Sequence, residues 1–366
     1  MTSSEIYLEL LRAGLWNRPA VVSGAAKLSE VLGMAVHQTT QALVSQALLD
    51  NFGEKLPEKR KEALLNTVKV CENSAHAANT VIAYVFMSLG KRNITPVLLK
   101  GQGIGSWYPV PALRQAGDID LYVREYVEAT EVLEKLFGAN EGESDKHISF
   151  HVGGSLELEL HQFTETLDNK KLNAYYQRIS NEGTTSNLSV VNLDGSEVYT
   201  PEDTFNAFYI FHHLWHHTEG MGIGMRQLCD WTMFLHTHSG KLDLERLGRW
   251  LKDMRLMDVW QVFGCTAVQA LDLPKEDVPF YDPSKEKRGR RLLAFMLEQG
   301  DNREFKHGRG DQSALKHKGG SFRYIHKRFA MMFPIFPGKA LLQYVGGIKN
   351  GVLKLLKART PDLGGE

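Results

Sequence analysis

Cysteine is scarce in this 366-residue chain: Cys71, Cys229 and Cys265 are odd in number and far apart. They form no CxxC pair and exclude a disulfide framework, which fits a reducing cytoplasm. Long hydrophobic runs are missing too, since no apolar stretch approaches the roughly 20 residues of a membrane span. The opening Met1-Thr2-Ser3-Ser4-Glu5-Ile6-Tyr7 carries neither the basic nor the apolar region of a secretion signal. A soluble, cytoplasmic protein is the expectation. Net charge is also absent, with 43 Lys and Arg against 43 Asp and Glu, so overall charge argues neither for nor against a nucleic-acid partner. Neither a low-complexity tract nor an internal repeat is visible.

Charge is nonetheless unevenly placed. From Arg303 to Arg359 there are thirteen Lys or Arg against Glu304 and Asp311, which leaves the remainder acidic. Such a tail can meet phosphate-rich partners, an anionic membrane surface or the chain's own acidic half. Within it, Lys339 to Lys357 has basic and apolar residues at helical spacing, read as a docked terminal helix before a membrane-surface or RNA-binding one.

The apolar period divides the chain into an N-terminal helical region (1–90), a core (91–200) and a C-terminal helical region with the basic tail (201–366). In the first, Ser29 to Asp50 and Lys59 to Leu89 repeat apolar residues every three or four positions. The core switches to short strands at Val97 to Leu99 and Ile119 to Val123, with an amphipathic helix from Tyr126 to Phe137. His147 to Val152 and Leu156 to His161 predict a hairpin about Gly153-Gly154, and Ser189 to Leu193 pairs with Glu197 to Tyr199 across Asp194-Gly195. Thr200-Pro201-Glu202-Asp203 reads as a helix start with Thr200 as its cap. That helix is expected to reach Thr218 and break over Gly220 to Gly224, with helices following at Met225 to His236, Leu242 to Met254 and Met257 to Leu271. Gly308 to Gly320 reads as a loose segment. The fold class is α/β (α+β), a small mixed sheet flanked by helices.

Chemistry concentrates in Val97 to Val123, where Lys100-Gly101 ends one apolar run and Asp118 and Asp120 sit two apart in the next. Residues i and i+2 of a strand project to one side, so the two carboxylates lie together and repel unless a cation separates them. An oxygen donor set of this kind suits Mg²⁺ or Mn²⁺. Glu157, Glu159 and His161 share one face of a later strand, and either glutamate can complete a carboxylate triad. Amides at Gly101 and Gly103, at a helix start, can cradle phosphate oxygens. Lys100 and Arg114 are the nearby cations, serving a triphosphate or else, respectively, standing in solvent and pairing with a local acid. His161 either relays a proton or orients its neighbouring carboxylate.

With these residues in place the segment resembles an uncharacterised bacterial nucleotidyltransferase family of the DNA polymerase β-like superfamily. The likeness rests on Lys100-Gly101, Tyr108-Pro109, Arg114, Gly117-Asp118-Ile119-Asp120-Leu121 and Glu159-Leu160-His161, and it runs on through the Pro201-Glu202-Asp203 helix to Asp230. It implies Asp118, Asp120 and Glu159 as catalytic metal ligands, with Lys100, Gly101, Gln102, Arg114 and His161 around the nucleotide. The superfamily usually has Gly-Ser in the phosphate loop, whereas Gln102 follows Gly101 here. The implied reaction moves NMP from an NTP, with ATP the expected donor, to a hydroxyl on a small molecule, a protein or an RNA end. The alternative from another class is a catalytically lapsed fold that binds a nucleotide or a partner.

His212, His213, His216 and His217 make two i, i+4 pairs on one helix. HxxxH can bind zinc, but a zincin needs Glu after the first His and His213 stands there. One pair is expected to face the core or the cleft and the other solvent. Arg226 and Asp230 read as an intrahelical ion pair.

Overall fold

The computed structural model describes residues 1–23, 27–140, 142, 143, 147–154, 156–219, 223–299, 326 and 328–357. The expected loose segment Gly308 to Gly320 lies outside them. Helices α1 (Ser3–Trp16), α2 (Leu28–His37), α3 (Gln41–Phe52) and the long α4 (Glu58–Gly90) precede the sheet. The middle comprises β1 (Val97–Leu98), the one-turn α5 (Gln102–Gly105), β2 (Ile119–Tyr122), α6 (Tyr126–Phe137), β3 (Gly142–Glu143), β4 (His147–His151), β5 (Glu157–His161), α7 (Lys170–Thr185), β6 (Ser189–Leu193) and β7 (Ser196–Thr200). Then come α8 (Asp203–Glu219), α9 (Met225–His238), α10 (Leu244–Asp253), α11 (Met257–Leu271), α12 (Glu286–Gln299) and α13 (Pro337–Lys357). No described helix is long and apolar enough to cross a membrane.

The fold is mixed α+β, as expected, with a five-stranded sheet in the order β1-β2-β5-β4-β3. Strands β2 and β5 run parallel, and the other neighbours in that sheet are antiparallel. The parallel pair sets Asp120 beside Glu159 and Leu121 beside Leu160. Strand alternation then sends Ile119, Leu121, Leu158 and Leu160 into an apolar core against Ile82, Val85 and Leu89 of α4 and Ala129 and Leu133 of α6. The opposite face of the sheet carries the polar residues. A second core gathers Tyr7, Leu10 and Leu11 of α1 and Val44 and Leu48 of α3 with Phe208, Phe211, Trp231, Trp260 and Phe263 of the C-terminal helices.

Two local expectations change. The apolar period from Ser29 to Asp50 is broken at Thr39, whose φ is +55°, so α2 and α3 are separate helices. The break serves a tertiary contact: the buried Gln38 side chain accepts from the Met225 amide at 2.8 Å and donates to the Met296 carbonyl at 3.0 Å. At α8 the capping oxygen comes from Glu202, which accepts from the Phe205 amide at 3.0 Å. Thr200 belongs to β7, and its hydroxyl turns to the Ser189 carbonyl instead.

Candidate functional site

The sheet's polar face builds the site by register. Asp120 pairs with Glu159, Glu159 with Ser149, and His161 with His147, so side chains from three adjacent strands converge. Lys100 follows β1 and places its Nζ 3.0 Å from Asp120 Oδ1. His161 Nε2 lies 3.0 Å from the same oxygen and 3.3 Å from Glu159 Oε2. His147 Nε2 is 3.5 Å from Glu159 Oε1. Burial raises the Asp120 carboxyl, but the Lys100 charge and the His161 hydrogen bond outweigh it and hold the group well below the usual carboxylate range. Burial likewise lowers His161, yet hydrogen bonds to Asp120 and Glu159 leave it above the ordinary imidazole value. For His147, burial prevails and the imidazole is pushed down.

A cavity of about 340 Å³ opens over these groups. Its wall includes Lys100, Gly101, Asp118, Asp120 and Glu159 from the sheet side, His213 and His217 from α8, and Arg226, Gln227 and Asp230 from α9. Gln38 holds the start of α9 by accepting from the Met225 amide. A larger cleft of about 1020 Å³ runs along α4 past the β4–β5 turn, and Gly117 and Asp118 line both spaces. Asp118, just ahead of β2, therefore stands at their junction.

Gly101 takes φ +58° and ψ −121°, a backbone conformation in which a side chain is strained. Gly101→Ala is therefore expected to cost about 1–3 kcal/mol, read as a lowered Tm. A Cβ at this position meets only the Asp118 carbonyl, at an ordinary 3.5 Å, so the strain is dihedral rather than steric. The expected phosphate cradle is narrower than the glycine spacing suggested. The Gly103 amide is spent on the Lys100 carbonyl at 3.1 Å.

The remaining sequence candidates divide. Gln102 is buried and turns its amide to α4, donating to Asn79 Oδ1 at 3.0 Å and to the Ala75 carbonyl at 3.3 Å, so its side chain ties the loop down rather than facing the cavity. Arg114 lines the cavity, yet its fork is held by Asp230 through Nε to Oδ1 at 3.0 Å and Nη2 to Oδ2 at 2.8 Å. Tyr108 donates to the same Asp230 Oδ1 at 2.7 Å. Asp230 thus reaches across the fold, beyond its own helix. Glu157, at the other end of β5, is exposed and pairs with His151.

The histidine helix splits in part as expected: one pair faces the cavity, but the other divides between core and solvent. His213 and His217 face the cavity with their Nε2 atoms 3.0 Å apart, and burial holds His213 well below the ordinary imidazole value. His212 is buried against the Tyr176 and Phe208 rings, and His216 is exposed. The four do not converge on one point. Among the described residues, the one grouping of three or more potential ligands is His147, Glu159 and His161, whose donor atoms lie within 4.8 Å of one another.

Sequence reasoning missed His147, and the hairpin itself held the signal. Pairing the expected strands His147 to Val152 and Leu156 to His161 end to end sets His147 opposite His161, the register that the structure has. It also missed Asp230 as the partner of Arg114, a contact 116 positions apart that no local pattern encodes.

No curated protein matches the sequence. Among solved structures, an antigenic nucleotidyltransferase-like protein from Paracoccidioides brasiliensis is similar at 16% identity and a TM-score of 0.33, covering 54% of this chain and 92% of that one. Residues 24–268 match a family model described as an uncharacterised nucleotidyltransferase, a span that takes in the sheet, the loop at Gly101 and the helices over the cavity. The chain belongs to that uncharacterised nucleotidyltransferase family.

Proposed function

We propose that the protein is a metal-dependent nucleotidyltransferase that moves NMP from an NTP, with ATP as donor, to an acceptor hydroxyl. The observation that carries this reading is the parallel register of β2 and β5, which sets Asp120 against Glu159 with Asp118 at the cavity mouth. Adjacent carboxylates in a half-enclosed space fit a divalent ion, Mg²⁺ or Mn²⁺, held by Asp118, Asp120 and Glu159. Such an ion, when bound, neutralises triphosphate charge and makes an acceptor hydroxyl a better nucleophile.

The chain's own groups do the rest. Lys100 is the cation nearest the carboxylates and sits where a phosphate oxygen can be met. The turn at Gly101 brings the backbone close to the Asp118 strand, which shapes the phosphate loop. The acceptor hydroxyl gives its proton to water as its oxygen bonds to the α-phosphorus, the bond from that phosphorus to the bridging oxygen breaks, and pyrophosphate leaves. In this reading the core (91–200) supplies the chemistry, while 1–90 and 201–366 wall the cleft and select the acceptor.

The test is label transfer. Wild-type protein, α-³²P-labelled NTPs, Mg²⁺ or Mn²⁺ and a cell extract are incubated beside an Asp118→Ala/Asp120→Ala variant. Label on an acceptor with wild type and none with the variant is the expected result. Transfer that persists in the variant overturns the carboxylate assignment, and NTP binding without any transfer favours the lapsed module.

A further inference from the structure

We infer that the metal centre takes a mixed nitrogen and oxygen donor set, with His147 and His161 ligating beside Glu159, and therefore prefers a first-row transition ion such as Mn²⁺ to Mg²⁺. The inference rests on the reading of Glu159 as a metal ligand, and adds that the two imidazoles bind the same ion.

Both histidines present the same nitrogen to the two oxygens of one carboxylate. His161 Nε2 is 3.3 Å from Glu159 Oε2, and His147 Nε2 is 3.5 Å from Glu159 Oε1. His161 Nε2 also reaches Asp120 Oδ1 at 3.0 Å. Donor atoms around an ion with bonds of about 2.1 Å stand about 3 Å apart at right angles, close to the two spacings to Glu159, and the donors of His147, Glu159 and His161 all lie within 4.8 Å of one another. The strands enforce the grouping, because His147 is directly opposite His161, and Glu159 directly beside Asp120, on one face of the sheet. The Nδ1 atom of His161 is buried without a hydrogen-bond partner, so the fixed contacts of that ring run through Nε2. The rings lie 4.9 Å apart and tilted.

Mg²⁺ sheds water reluctantly and takes oxygen ligands, whereas imidazole donors raise affinity for ions later in the first transition row. The carboxylate pair alone fits either ion. Two added nitrogens tip the choice.

The test uses Mn²⁺ as the probe and the full chain, with pulsed electron paramagnetic resonance to detect directly bound ¹⁴N. Measurements are made without nucleotide and with ¹⁵N-ATP, so that nucleotide nitrogen is distinguishable. Wild type is expected to show two imidazole couplings, with one lost in His147→Gln and the other in His161→Gln. Each variant should also weaken Mn²⁺ binding about ten- to a hundred-fold, and Mg²⁺ should displace Mn²⁺ from wild type only at ten-fold excess or more. Circular dichroism on His147→Gln, a partly exposed position, guards against misfolding. Bound Mn²⁺ without ¹⁴N coupling, or coupling that survives both histidine variants, overturns the inference. If Asp120→Asn still abolishes that binding, the carboxylate metal site stands. No Mn²⁺ binding with or without ATP overturns both.

Discussion

Asp120→Asn is expected to abolish label transfer, a loss of at least about 1000-fold, or about 4 kcal/mol of transition-state stabilisation. The substitution removes one negative charge from the centre of the site and leaves the nearby Lys100 ammonium and the His161 imidazole facing a neutral amide. On the proposed reading it also removes a metal ligand that the Asn oxygen replaces only weakly. Stability should move as well, and the sign follows from the depressed carboxyl of Asp120. A carboxylate held below its unfolded value adds stability at neutral pH and gives it up only as pH falls through the folded value. The wild-type advantage over Asp120→Asn is therefore expected to be full above about pH 4 and to shrink in stronger acid. Urea midpoints across that range check it, and a folded, inactive variant at pH 7 separates chemistry from collapse.

Asp230→Ala is expected to produce the largest loss of stability, on the order of 3–5 kcal/mol, because it strands a buried guanidinium. Arg114 has two nitrogens on Asp230 and a third on the Gln115 carbonyl, and its side chain is 6% exposed. Burial alone disfavours its charge, and the Asp230 carboxylate more than offsets that. Tyr108 loses its acceptor in the same stroke. Replacing both ends, Arg114→Met with Asp230→Leu, should recover most of the loss, since a buried pair exchanged for apolar residues is often neutral. Urea denaturation of the two single variants and the double gives the coupling directly. The double variant should also bind ATP within about three-fold of wild type, as a guanidinium occupied by Asp230 has a positioning role. A loss of ten-fold or more, about 1.4 kcal/mol, instead assigns Arg114 to the triphosphate.

How much of this was legible depended on range. The spacing of Asp118 and Asp120 is plain in the sequence, whereas the hairpin's face pattern offers Glu157 and Glu159 alike and only the Glu159-Leu160-His161 resemblance favours the second. His147 is available from the hairpin register but lies outside the Glu159-Leu160-His161 motif. Gln102 was misplaced because a loop side chain is aimed by what packs on it, and here that is α4. The break at Thr39 was hidden for a similar reason. The apolar period runs through it, and only the Gln38 contacts to α9 and α12 explain the turn. Arg114 with Asp230 belongs to the same class, a pairing made by the fold and visible only in it.

Helix α4 is one uninterrupted element of 33 residues, about 50 Å at 1.5 Å per residue. Its first half contributes Leu64, Val68 and Cys71 to the core shared by the N- and C-terminal helices, and its second half contributes Ala78, Ile82, Val85 and Leu89 to the core beneath the sheet. A helix is a cooperative object, so fraying in one half lowers the stability of the other. The two cores should consequently open as a single folding unit in amide exchange, although their residues scarcely mix. A proline at Asn73, an exposed position between the two halves, would be the place to uncouple them.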